Sequence, residues 1–135
     1  MIEYYEKAAK LKEPFSLLNL GFRYEEERGV KQNYSKAFEY FKKSAKHGNS
    51  DATDCLGVYY LKGWGVEQND SKAFKYFKKS AKLGSSYGLF HVGLFYEEGR
   101  GVKKNKSKAI EYYSKSANLG NEEAKASLKR LNKSH

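Results

Sequence analysis

The side chains that could carry out chemistry are few, and their spacing predicts no active site. The histidines are His47, His91 and His135. No two of them have the spacing that a metal site needs. The single cysteine, Cys55, has no base close to it in the sequence and is expected to be a small buried side chain rather than a nucleophile. We therefore expect no catalytic residue, no metal ligand and no cofactor.

A Gly-x-Gly turn is the other feature that could suggest chemistry, because glycine-rich loops hold phosphates. It occurs as Gly63-Trp64-Gly65-Val66 and as Gly99-Arg100-Gly101-Val102. With one glycine lost, it occurs again as Glu27-Arg28-Gly29-Val30. No strand is predicted before it and no Gly-Lys-Ser/Thr follows it, as a phosphate loop would require. Its recurrence indicates a turn that reverses the chain between two helices.

Composition and charge narrow the class of protein. The 135 residues suffice for one domain, and an apolar content of 39% is too high for a disordered chain. The net charge of +10 comes mostly from lysine and admits an anionic partner. Because the chain has a single cysteine and so no internal disulfide, a reducing compartment is the best fit for its location. A disulfide-free domain can also be secreted. The first residues predict no signal peptide in the chain as given, and no apolar run predicts a membrane span.

The sequence repeats with a period of 36 residues. Four alanines mark this period: Ala9, Ala45, Ala81 and Ala117. Residues 33–48 and 69–84 differ at only three of sixteen positions, which chance does not produce. A period of this length predicts a repeat architecture in which each unit packs on its neighbours.

Each repeat contains two helical patterns, called A and B. Helix A places small or apolar residues on one face, as at Ala52, Leu56 and Tyr60, and helix B does so at Ala73 and Phe77. Asparagines that suit N-caps precede the helices: Asn33, Asn49, Asn69, Asn105 and Asn121. Glycines that suit a left-handed C-terminal residue follow the B helices: Gly48, Gly84 and Gly120. Pro14 falls in a first turn, where its missing N–H does no harm.

These residues resemble the Sel1-like repeat family, which is related to the tetratricopeptide repeats. The second repeat carries the family pattern at Ala52, Leu56, Gly57, Tyr60, Gly63, Gly65, Val66, Asn69, Lys72, Ala73, Tyr76, Phe77, Lys79, Ser80, Ala81 and Gly84. Some members of the family have paired cysteines in each repeat, and this chain does not. That difference argues against the secreted cysteine-rich branch and against the β-lactamase activity attached to it.

The resemblance implies an all-α fold, a right-handed α/α superhelix of three to three and a half helical hairpins. We expect one domain over residues 1–135. Its elements would be an N-terminal B helix at 2–11, repeats at 14–47, 50–83 and 86–119, and a C-terminal capping helix at 121–132. A polar outer face on that last helix would keep the end of the array soluble.

In such arrays the A helices line the concave surface and the B helices the convex one. Twelve positions are expected to turn inward: Phe15, Leu18, Phe22, Glu25, Asp51, Asp54, Val58, Leu61, Tyr87, Phe90, Leu94 and Glu97. Most are apolar, and exposed apolar patches usually mark interaction surfaces. We predict an interaction module or adaptor that binds a protein or peptide there, and the acidic members favour a ligand with basic flanks. The alternatives are burial by neighbouring repeats, cover by a missing repeat, and a homodimer through the same surface.

The lysines lie mainly on the B helices and predict a solvated outer surface. An electrostatic binder of nucleic acid or an anionic polymer is the alternative, although arginine is scarce and the B-helix aromatics are expected to face the core. A membrane surface as partner has the same weakness. An enzyme similar to a β-lactamase, by analogy with the family, is the weakest reading.

Overall fold

The computed structural model describes residues 14–26 and 33–133. Within them the chain forms seven α-helices and no strand, so the expected all-α repeat fold is confirmed. The helices are α1 (Pro14–Glu25), α2 (Tyr34–Lys46), α3 (Ser50–Lys62), α4 (Asp70–Lys82), α5 (Ser86–Glu98), α6 (Lys106–Asn118) and α7 (Glu122–Lys133). The odd-numbered helices have the A pattern and the even-numbered helices the B pattern. The predicted helix at 2–11 and the first turn, Glu27 to Val30, lie outside the described residues.

Asparagine side chains begin four of these helices. The Oδ1 atom of Asn33 accepts a hydrogen bond from the backbone N–H of Lys36 at 3.0 Å at the start of α2. Asn105 caps α6, and Asn49 and Asn121 cap α3 and α7, in the same way. Each such cap stabilises a helix by about 1 kcal/mol. These four assignments are confirmed, and the N-cap role of Asn69 stays a prediction.

Left-handed glycines end the B helices, as predicted. The φ angles of Gly48, Gly84 and Gly120 are 85°, 91° and 93°. Gly63 and Gly99 end the A helices α3 and α5 in the same left-handed region. Because a side chain is disfavoured at positive φ, these positions separate one helix from the next.

The second glycine of the Gly-x-Gly turn also has a packing role. A Cβ atom on Gly101 would lie 2.6 Å from the carbonyl oxygen of Asp70, at the start of α4. Arg100 in the same turn places Nη2 3.1 Å from Oδ1 of Asp70. The turn after α5 therefore packs against Asp70, the first residue of α4. This contact leaves no room for a side chain at Gly101.

Two compact units divide the chain between Asn69 and Asp70, and each is described by itself. In the first unit, α2 packs against α1 and α3. In the second unit, α5 packs against α4 and α6, and α6 packs against α7. From the sequence, we expect one domain over residues 1–135. Whether the two units form that single domain stays a prediction.

Each unit has a fully buried aromatic ring at the same position of a B helix. Phe41 is fully buried in the first unit and Tyr113 in the second, at the same position of their B helices. Each ring fits against a glycine of an A helix. A Cβ atom on Gly21 would lie 2.6 Å from Phe41, and one on Gly93 would lie 2.8 Å from Tyr113. These glycines permit the close approach of helices A and B on which the core depends.

Candidate protein-binding face

The twelve predicted contact residues lie on the A helices α1, α3 and α5, and together they are called the A-helix face. In the first unit, Phe15 is the most exposed apolar member, with 72% of its surface accessible. Asp51 is exposed. Four members are half-buried: Phe22, Glu25, Val58 and Leu61. The first unit thus combines one exposed ring with half-buried apolar side chains and carboxylates.

The second unit contributes four members of the A-helix face, all on α5. Tyr87 is 40% exposed. Leu94 and Glu97 are half-buried, whereas Phe90 is buried. The ring of Phe90 packs against the fully buried ring of Tyr113, with a centroid separation of 5.6 Å.

Three members of the A-helix face correct the expectation that all twelve are left exposed. Leu18 and Asp54 are each only 7% exposed and Phe90 only 8%. For Asp54 and Phe90 the reason is that α3 and α5 have small or apolar residues around most of their circumference, and a helix of that kind is buried on more than one side. On α1, Leu18 is buried together with Leu17 and Leu20, so this helix also has a wide buried face. The sequence pattern predicted only one buried face on each A helix, so it underestimated how many residues of these helices are buried.

A shallow depression lies on α1 within the first unit. Its volume is about 350 Å³, and Asn19, Phe22, Arg23 and Glu26 line it. These four residues are three or four positions apart in sequence and so share one side of the helix. The ring of Phe22 meets Phe41 edge-on, with centroids 5.1 Å apart, which fixes one wall of the depression.

Glu25 is held in place by Tyr59, a residue that the sequence analysis did not single out. The hydroxyl of Tyr59 on α3 donates a 2.6 Å hydrogen bond to Oε1 of Glu25 on α1. Burial raises the pKa of Tyr59, and the adjoining Glu25 carboxylate raises it further. The phenol therefore remains protonated and acts as a permanent donor to Glu25.

Glu97 lies two repeats after Glu25, and its carboxylate accepts three hydrogen bonds. The hydroxyl of Tyr113 donates to Oε1 at 2.6 Å. The guanidinium of Arg130 donates from Nη1 to Oε2 at 2.6 Å and from Nη2 to Oε1 at 2.8 Å. The bonds from Arg130, with a smaller contribution from Tyr113, lower the pKa of Glu97. A two-pronged pair of this kind is a strong and directional form of carboxylate recognition.

The pairing of Arg130 with Glu97 was missed by the sequence analysis, although the repeat register contains a signal for it. Arg130 stands one period of 36 residues after Leu94, a predicted contact residue. A charged residue at an otherwise apolar position of an A helix indicates a partner on the neighbouring A helix.

Cys55 is surrounded by negative charge in the first unit. Burial raises the pKa of its thiol, and the carboxylates of Glu25, Asp54 and Asp51 raise it further. A reactive cysteine requires the opposite environment, in which positive charge stabilises the thiolate. Cys55 is half-buried rather than fully buried as predicted, and its surroundings disfavour the thiolate form that a nucleophile would need.

His91 lies in a cluster of aromatic rings in the second unit. Its ring is stacked on Phe77 with centroids 4.4 Å apart, and it also contacts Tyr87 and Phe90. Its Nδ1 atom is 3.1 Å from the carbonyl oxygen of Tyr87, to which it donates a hydrogen bond. Burial lowers the pKa of His91, against the opposing effects of that carbonyl and of Glu123. The neutral ring is therefore the favoured form.

Several lysines of the B helices lie over tyrosine rings. In the first unit, the Nζ atoms of Lys36 and Lys43 are 5.5 and 5.3 Å from the ring centres of Tyr24 and Tyr40. In the second unit, Lys108 and Lys115 lie over Tyr96 and Tyr112 in the same way. These lysines cover aromatic surface, which gives them a packing role besides their charge.

No helix in the described part of the chain is both long and apolar enough to cross a membrane. Among the same residues, no group of histidine, cysteine and carboxylate side chains is placed to hold a metal ion.

The family follows from the sequence match. Residues 2–13, 14–49, 56–85 and 86–121 match the model of the Sel1 repeat. The chain belongs to the Sel1 repeat family. The segments 14–49 and 86–121 each span 36 residues, so the period in the sequence is the period of Sel1 repeats. No protein with a curated description matches the chain significantly.

Three solved structures show the likeness of this chain to known Sel1 repeat folds. A Sel1 repeat protein from Oxalobacter formigenes is 32% identical with a TM-score of 0.88, over 96% of this chain and 53% of that one. The protective antigen c5321 of uropathogenic Escherichia coli is 28% identical with a TM-score of 0.88, over 92% and 27%. Helicobacter pylori cysteine-rich protein B is 30% identical with a TM-score of 0.72, over 93% and 90%. The chain thus spans about half of the first protein and about a quarter of the second.

Sel1 repeat proteins are generally protein-interaction modules and non-enzymatic scaffolds. The single cysteine distinguishes this Sel1 repeat chain from relatives named for their cysteine content.

Proposed function

We propose that this Sel1 repeat chain binds a protein or peptide through its A-helix face. The observation that carries the proposal is the exposure of aromatic rings on the A helices, 72% for Phe15 and 40% for Tyr87. Covering apolar surface stabilises a complex by about 25 cal/mol per Å² before the costs of association. Half-buried neighbours, Phe22 in the first unit and Leu94 in the second, extend the apolar surface that a partner would cover.

The charges of the A-helix face indicate a partner with basic segments. Asp51 is exposed and Glu25 is half-buried, both in the first unit. Opposite charges on a partner would speed its association and fix its register more than they would add to its affinity. A second copy of this chain is the competing occupant, since its net charge of +10 also supplies basic side chains.

The proposal is tested by replacing the exposed rings and measuring capture of a partner. Phe15→Ser and Tyr87→Ser should each weaken the captured complex by about tenfold, equivalent to about 1.4 kcal/mol. Leu83→Ser and Leu119→Ser are matched controls, because these leucines are 49% and 58% exposed but follow B helices. Circular dichroism checks that every variant is folded. If the control variants weaken capture as much as the A-helix variants, the A-helix face is not the binding surface.

Binding of a polyanion is a separate candidate that the lysines favour less than their number suggests. Lys36 and Lys43 lie over tyrosine rings, so part of the charge on α2 serves packing. Retention on nucleic acid that declines steeply as salt is added, and that survives the A-helix substitutions, would support the polyanion instead.

A further inference from the structure

Glu97 shows how this fold receives a guanidinium group. Its carboxylate lies on α5, and Arg130 reaches it from α7, the next A helix. Arg130 donates through both Nη1 and Nη2. The Tyr113 hydroxyl donates to Oε1, the same oxygen that accepts from Nη2. The carboxylate is mostly buried, with 19% of its side chain exposed, whereas the arginine is 53% exposed. An arginine arriving from solvent therefore meets an acceptor that is already oriented.

Glu25 is the same residue in the same register of the first unit. It lies two periods of 36 residues before Glu97, on α1, and α3 is the next A helix. Its Oε1 atom also accepts a 2.6 Å hydrogen bond from a tyrosine, here Tyr59. The carboxylate is half-buried, and its orientation is fixed by that bond.

The difference between the two sites is the cation. Val58 on α3 stands two periods before Arg130, so the first unit has an aliphatic side chain where the second has a guanidinium. No basic side chain in the described ranges forms an ion pair with Glu25. The first unit thus repeats the carboxylate and the tyrosine hydroxyl of the second unit without an arginine of its own at this position.

The surroundings of Glu25 favour a cation with an apolar stem. Asp51 and Asp54 lie on α3, shortly before Cys55 in the sequence. Their carboxylates and that of Glu25 all lie close enough to Cys55 to raise the pKa of its thiol. Together they attract positive charge. Val58 and Leu61 on α3 are half-buried and offer apolar surface to the methylene groups of a long side chain.

We propose that Glu25 and Tyr59 form an arginine subsite, at which a peptide or protein partner places a guanidinium on Glu25 as Arg130 does on Glu97. This inference rests on the proposed function, since it names the chemistry by which that partner is recognised. Arginine is favoured over lysine, because the planar fork matches both carboxylate oxygens whereas an ammonium group is a point charge.

The subsite is tested with N-acetyl-arginine amide as probe and N-acetyl-lysine amide as its comparison. Chemical shifts of the Tyr59 ring, assigned with Tyr59→Phe, report binding by NMR. We expect the arginine probe to shift these signals at lower concentration than the lysine probe. Glu25→Gln should weaken the response by about tenfold, as expected for the loss of a charge-assisted pair. Glu39→Gln is the matched control, because Glu39 is an exposed carboxylate of the same unit on the B helix α2, outside the A-helix face.

A second variant tests the comparison between the two units directly. Val58→Arg places an arginine at the register of Arg130, so its guanidinium should pair with Glu25, raise the melting temperature and abolish the response to the probe. Equal responses to the two probes, or a full response in Glu25→Gln, would overturn the subsite. Partner capture that depends on Phe15 but not on Glu25 would likewise overturn it while the proposed function stands.

Discussion

The hydroxyl of Tyr59 donates to Glu25 from an A helix, whereas its counterpart at Glu97, Tyr113, donates from a B helix. The two units reach the same contact from different positions of the repeat. At the register of Tyr113 the first unit has Phe41, and at the register of Tyr59 the second unit has Leu131. Each of the two carboxylates thus accepts one tyrosine hydrogen bond, and that bond orients it in its own unit.

The bond between Tyr59 and Glu25 should contribute measurably to stability. Tyr59→Phe removes the hydroxyl from a side chain that is 1% exposed and leaves the carboxylate without its donor. We expect the free energy of unfolding in urea to fall by about 1.5 kcal/mol, as for a hydrogen bond to a charged group. Tyr112→Phe is the control, because its half-buried ring keeps its contacts with Tyr96 and Lys115 and the change should stay within about 0.5 kcal/mol. Equal losses in the two variants would mean that the Tyr59 bond has no special role.

Local features of the fold could be predicted from the sequence, because they depend on the backbone of single residues. Asn33 and Asn105 cap helices and Gly48 adopts positive φ irrespective of distant contacts. Burial of Leu18 and Phe90 depends on how many neighbours surround an A helix, which the one-dimensional pattern does not contain. Three of the twelve predicted contact residues are therefore buried, and the binding role of the other nine stays a prediction.

Gly93 should be intolerant of even one added methyl group. A Cβ atom there would lie 2.8 Å from Cδ1 of Tyr113, a fully buried ring that has no space to move into. Gly93→Ala should destabilise the chain by about 2 kcal/mol, as overpacking of a core does. Thermal and urea unfolding measure this loss. In a Tyr113→Leu background the same substitution should cost less, since the clashing ring is gone, and an unchanged cost would show that the ring is not the cause.

Cys55 should react slowly in the folded chain. Its raised pKa, caused first by burial and then by the nearby carboxylates, keeps the thiol protonated where a free cysteine with a pKa of about 8.5 is partly ionised. We expect alkylation by iodoacetamide to follow the rate of unfolding and to become rapid in urea. Fast labelling of the native chain, measured by mass spectrometry, would contradict the half-buried, acidic environment assigned to this thiol.

Arg130 should stabilise the second unit only where Glu97 is ionised. The pKa of Glu97 is lowered in the folded chain below the value of about 4.3 of an unfolded glutamate. The stabilisation is therefore complete above that value and is lost as the pH falls through the lowered folded pKa. Arg130→Gln should cost about 0.5 kcal/mol near neutral pH, because the arginine is half exposed, and nothing once Glu97 is protonated. Lys125→Gln, which removes an exposed pair with Glu122 on the same helix, is the control, and a loss that does not depend on pH would contradict the assignment.

His91 should make the second unit sensitive to mild acid. Its stacking on Phe77 and its burial favour the neutral ring, so its pKa in the folded chain is lowered below the value of about 6.5 of an unfolded histidine. As the pH falls below that value, the unfolded chain takes up a proton before the folded chain does, and the free energy of unfolding decreases.

The comparison of His91→Gln with the native chain isolates this effect. The native chain should lose stability between neutral and mildly acidic pH, and His91→Gln should lose less over the same range. His47→Gln is the matched control, because His47 is exposed at the end of α2 and has no aromatic cluster around it among the contacts described. Because Glu123 opposes the shift, Glu123→Gln should enlarge the acid sensitivity of the native histidine. Parallel pH profiles for the native chain and His91→Gln, measured by urea unfolding, would show that His91 is not the group responsible.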